Sequence, residues 1–133
     1  MDGRHPAAPE MASLDLIRRP LRDLMAGLMQ LPVRPSGEPD YDEADPDVLV
    51  RLAESAELAL RIVHDGFSAI GLLYACAAHR IAEGRIDADH AAALGRFQAE
   101  LGELLVHLQR LSVACRHHTA DYVANGEPHH ERH

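Results

Sequence analysis

Two apolar stripes with the same beat dominate this chain and constrain its fold more than any other feature. The first runs through Leu49, Ala53, Ala56, Leu60, Val63, Phe67, Ile70, Tyr74, Ala77 and Ile81. The second runs through His90, Leu94, Phe97, Leu101, Leu104, Leu108, Leu111, Cys115, His118 and Tyr122. Steps of alternating four and three residues put each stripe on one side of a helix, the heptad pattern of helices packed lengthwise. Gly84 between them is a left-handed C-cap with Ile86 placed to fold back, and Asp87 caps the next helix. A connection this short forces the two helices antiparallel. It sets Ile81 level with His90, Ile70 with Leu101, Val63 with Leu108 and Leu49 with Tyr122.

The sequence therefore predicts an all-α protein: an antiparallel hairpin of two long helices plus a shorter N-terminal helix, forming a dimeric helical bundle. One helical domain is expected over 13–124, with helices near 14–30, 46–83 and 88–124. In the first, Leu14, Ile17, Leu21, Leu24, Leu28 and Leu31 keep the helical spacing, Ser13 is a possible N-cap, and Pro20 suits a first helical position. A helix over about 20–30 preceded by a looser turn fits best. Residues 32–45 are rich in proline and acid and read as a solvated linker. Asp45 is placed as N-cap of the next helix, with Pro46 in its first turn. Residues 1–12 and 125–133 read as a disordered and a frayed tail.

The 133-residue length suits a single domain, yet two helices alone leave much apolar surface wet. The second helix sharpens this point. Beside its seam stripe it carries Leu52, Ala59, Ile62, Gly66, Ala69, Leu73 and Cys76. A helix apolar on several sides must be covered from several directions. A second copy of the chain is the leading expectation. These residues, with Leu24, Met25 and Leu28 of the N-terminal helix, are the candidate interaction surface. The N-terminal Met and Leu residues beside Arg18, Arg19 and Arg22 also raise a membrane-surface contact, ranked below packing on the hairpin.

A net charge of −8 disfavours direct nucleic-acid binding, which needs a positive surface. It favours a protein partner with a basic face. All 13 basic residues are arginine, which, with frequent alanine, reads as the coding bias of a GC-rich bacterial genome. No uninterrupted run of about 18 apolar residues exists and Met1–Glu10 lacks an apolar signal core, so the expected location is cytoplasmic, without a membrane span. The hairpin register places Cys76 and Cys115 roughly 30 Å apart, far beyond disulfide reach, and both read as buried small apolar residues.

No motif specifies a chemistry. There is no Gly-rich phosphate loop, Cys-x-x-Cys, Gly-x-Ser-x-Gly or His-Glu-x-x-His, so no enzyme activity and no cofactor are expected. The register does bring His64 level with His107, with Glu103 one turn before His107 and Glu57 two turns before His64. Histidine and carboxylate on facing helices is how bundle metal sites are built, giving a minor metal-site reading on His64, His107 and Glu103. His90 and His118 occupy stripe positions near the hairpin ends and read as structural.

The stretch Arg61-Ile62-Val63-His64-Asp65-Gly66 resembles the phospho-acceptor motif of sensor histidine kinases, roughly R-E-L-H-D-G. The resemblance implies a dimerising helical hairpin with His64 as phospho-acceptor and Asp65 as its acid–base neighbour. Ile62 stands where that family has an acid, and Ala69 where it has an amide. The leading expectation is a non-catalytic protein-binding module, a small bacterial regulator or inhibitor; a His64 phosphotransfer or dimerisation domain is the alternative.

Overall fold

A computed structural model describes residues 18–122. Among these residues are three helices: α1 (Pro20–Leu28), α2 (Pro46–Ala82) and α3 (Ala88–His118). The tails at 1–12 and 125–133, the Ser13 cap and the looser turn from residue 14 lie outside the described residues, apart from Arg18 and Arg19, which are not helical. Pro20 sets the start of α1: its ring disfavours helical backbone at the residue before it, and Arg19 has φ −120° and ψ 80°.

The hairpin is held by local chemistry at both ends. Asp45 accepts the Asp47 amide at 2.9 Å and Asp87 accepts the Asp89 amide at 3.0 Å, so each long helix begins on a carboxylate N-cap. After α2, Gly84 takes φ 73°, and the Arg85 amide donates to the Arg80 carbonyl at 2.9 Å. The Gly84 amide donates to Ile81 at 3.1 Å, completing a Schellman motif. Helix α3 ends six residues before its expected end. There Thr119 leaves helical geometry and its hydroxyl bonds back to the Cys115 carbonyl at 2.7 Å. Tyr122 instead hydrogen-bonds Asp47, tying the open end of the hairpin together.

The core occupies one end only. Leu49, Leu52, Ala53, Ala56 and Ala59 of α2 are buried with Leu108 and Cys115 of α3, Leu24 of α1, and Leu31 and Ala44 of the connection. Helix α1 packs on α2 without reaching α3. Its Gly27 lies so close that an added Cβ would stand 2.6 Å from Leu52 Cδ2. From Leu60 to His107, around the hairpin turn, no residue is buried. The seam opens there: Phe97, which the heptads place inside, is 54% exposed. The molecule is thus a closed three-helix base carrying a bare two-helix arm.

The connection from α1 to α2 is mostly exposed yet carries its own local backbone structure. Val33 and Pro39 form an antiparallel bridge, Gly37 turns the chain with φ 91°, and the Asp40 amide donates to Pro32 at 2.8 Å. Arg34 lies 3.3 Å from Asp42 and 3.8 Å from Asp40. The Tyr41 ring stacks on His118 with centroids 5.2 Å apart. Leu31, Ala44 and Tyr41 are the apolar anchors that a count of prolines and acids hides.

Candidate functional site

The bare arm is the candidate site, and helix packing creates it. Helix α1 covers the side of α2 that carries Val48, Leu52, Ser55 and Ala59. The same track continues outward through Ile62, Gly66, Ala69, Leu73 and Cys76, all exposed. Leu73 is 68% exposed, as is its neighbour Leu72, while Leu94, Phe97 and Val106 open onto solvent from α3. Contiguous exposed apolar surface of this kind is what makes the arm the candidate site.

Glycines reinforce the contrast between base and arm. Gly27 has a reason inside the chain, the close approach to Leu52. Gly66, Gly71, Gly95 and Gly102 lie in helix interiors, yet an added Cβ would meet nothing within 4 Å. Each costs its helix up to about 1 kcal/mol relative to alanine. Nothing among the described residues requires them; a helix approaching closely would.

The candidate interaction residues therefore divide. Leu24, Leu52 and Ala59 are buried inside the chain. Ile62, Gly66, Ala69, Leu73 and Cys76 are exposed on the arm, and Met25 and Leu28 on α1. Cys76 is exposed rather than buried, a correction that follows from the missing cover on the arm. Cys115 is buried, and burial pushes its thiol up to about 11. Leu21 and Met29 join Met25 and Leu28 on an exposed arc that sequence spacing had assigned in part to packing.

The polar candidates are dispersed. His64 and Asp65 are exposed and line an open groove with Leu105, Val106, Gln109 and Arg110. His107 and Glu103 are also exposed and do not line that groove. Glu57 is committed elsewhere, to Arg116 and Ser112. Among the described residues no group of three or more His, Cys, Asp or Glu side chains is placed to hold a metal ion. His90 stands 3.9 Å from Asp87 at the exposed turn. His118 is structural: Nδ1 donates to the Ala114 carbonyl at 2.8 Å and Nε2 lies 3.4 Å from Asp42.

One 18-residue window of α2 has the length and composition to cross a membrane, although no uninterrupted apolar run does. Beside the arm half of α2, however, α3 carries Arg96, Glu100 and Glu103 at the same level. Charges in hydrocarbon are costly, so the hairpin as folded is poorly suited to insertion.

No protein-family model, curated protein or solved structure matches this chain.

Proposed function

We propose that this chain is a non-catalytic protein-binding module that assembles as a homodimer through the arm of its hairpin. The observation that carries this reading is the division of the molecule: the base is buried, whereas Leu60 to His107 contains no buried residue and exposes Ile62, Leu73, Leu94 and Phe97. A second copy of the chain would supply the missing cover, and the unexplained glycines suit close helix contact. The acidic surface, with a chain charge of −8, then suits a cytoplasmic regulator or inhibitor that covers the basic face of another protein.

Light scattering tests the dimer. The wild-type chain is expected at twice the 14.6 kDa chain mass at micromolar concentration, and Leu73→Glu at the single mass. A wild-type monomer with native helicity would end the reading. The phosphotransfer alternative is supported by the exposure of His64 beside Asp65. It requires an acid-labile phosphoryl label, transferred from histidine kinases, that Glu57-to-Gly66 peptide mapping places on His64 and that His64→Gln abolishes.

A further inference from the structure

Two apolar faces have no cover among the described residues, and they differ in charge. The first is the α2 track of the arm beyond Ile62. The second is an arc on α1, where exposure climbs around the helix from Leu24 (3%) through Leu28 (39%), Leu21 (54%) and Met25 (63%) to Met29 (86%). The arc is flanked by Arg18, Arg19 and Arg22, against Asp23 as the only acid of that helix. The arm is more mixed: Asp65 stands one turn beyond Ile62, and Glu100 and Glu103 on the adjoining helix, with Arg61 and Arg96 near them.

The two faces meet at one level. Helix α1 runs antiparallel to α2, so its first residues lie at the end of the track that it covers. Pro20 and Leu21 share a groove with Ala59, Ile62 and Val63, and Arg18, Arg19 and Arg22 line the same groove. Among the described residues, cover by α1 stops at Ile62, and the exposed track starts there.

Building on the homodimer reading above, we infer that two copies pair antiparallel about a two-fold axis near Ile62, with the α1 arc of each seated on the bare α2 track of the other. One arrangement then covers both unpartnered faces. It brings Asp65 of each copy toward the arginines of the other's α1. Such a pairing is isologous and closes on itself. A nine-residue ridge contacting once is small against the ~800 Å² per partner of a stable interface. The axis makes that contact twice and adds the crossing of the two α2 helices at Ile62.

Two variants of the full chain with one exposed cysteine each, Met25→Cys and Leu73→Cys, both carrying Cys76→Ser and keeping the buried Cys115, test the pairing by oxidative cross-linking. Mixed together, they are expected to give a disulfide-linked dimer at least tenfold faster than either alone. In a second test, Asp65→Arg is expected to weaken the dimer about tenfold, and adding Arg22→Asp to restore it. A rapid Leu73→Cys self-link in a scattering-confirmed dimer would mean parallel arms, overturning the inference while leaving the homodimer intact. A monomeric wild type would overturn both. Sedimentation with phosphatidylglycerol vesicles, lost in Met25→Glu while that variant stays dimeric, would assign the arc to lipid and also overturn the inference.

Discussion

The Glu57 carboxylate on α2 receives both the Nε–H and an Nη2–H of Arg116 on α3, each at 2.9 Å, and the Ser112 hydroxyl at 3.3 Å. The hairpin register puts Ala114 level with Glu57, so its two partners lie one on either side of that level. This two-pronged clamp fixes the register at the base, just before the seam opens. The hydrogen bond from Arg116 holds the Glu57 carboxyl below its ordinary range, against the opposing effect of partial burial.

The clamp predicts an acid-sensitive stability term. A carboxyl lowered in the folded state stabilises the fold fully above its ordinary value of about 4.5, and this contribution is lost as pH falls through the lowered folded value. Both side chains are nearly half exposed, so solvent screening holds the contribution to about 1 kcal/mol or less. Glu57→Gln is expected to lower Tm by a few degrees at pH 7. The difference from wild type should shrink as thermal melts move to pH 3, and a difference independent of pH would exclude the ionic origin.

Glycine substitutions are predicted to act in opposite directions. Gly27→Ala drives a methyl group into Leu52, whose fully buried side chain must shift to admit it. Overpacking of this kind costs roughly 1–3 kcal/mol, visible as a lower urea midpoint. Gly66→Ala meets open space within the chain and gains about 0.5–1 kcal/mol of helix stability. Measured where the chain is monomeric, Gly66→Ala should therefore melt higher than wild type. Its dimer should nevertheless dissociate more readily in sedimentation velocity, because the added methyl group enters the proposed interface.

The paired heptads made the base readable in advance, because Leu49, Ala53, Ala56, Leu108 and Cys115 form a real seam. Asp45, Gly84 and Asp87 were readable for the same reason: capping is local chemistry. Phe97 was not, because a stripe records that a residue is apolar and says nothing of how tightly two helices close. Nor could spacing separate Leu52 and Ala59, which α1 covers, from Ile62 and Leu73 further along the same track. That division depends on where Pro20 starts α1 and on how near Gly27 lets it approach. The ordering of the connection depends on Tyr41 meeting His118, a contact between distant residues that no periodicity carries.

The two thiols should differ sharply in reactivity. Disulfide exchange and alkylation require thiolate. With its pKa pushed to about 11 by burial, Cys115 is thiolate in roughly one molecule per thousand at pH 8, and the fold shields it as well. Iodoacetamide followed by mass spectrometry is expected to leave Cys115 unmodified in native protein and to label it once urea unfolds the chain. Labelling of Cys115 at its unfolded rate in native protein would mean that the base is not closed.

The Tyr41–His118 stack is predicted to govern the connection between α1 and α2. His118 holds that segment by two contacts, its ring against Tyr41 and Nε2 facing Asp42 at 3.4 Å, and is itself fixed on its own helix by Nδ1 donating to the Ala114 carbonyl at 2.8 Å. Removing the ring leaves the half-buried Tyr41 without its stacking surface and Asp42 with Arg34 as its remaining ion-pair partner. The backbone turn at Gly37 and the Val33–Pro39 bridge must then hold the segment with fewer tertiary contacts. Local opening free energy falls when such contacts are lost, and proteolysis reports the open population. His118→Ala is therefore expected to raise the rate of cleavage after Glu43 by a glutamate-specific protease about tenfold, with little change after Glu83. Equal acceleration at both glutamates would show instead that the substitution loosens the whole chain.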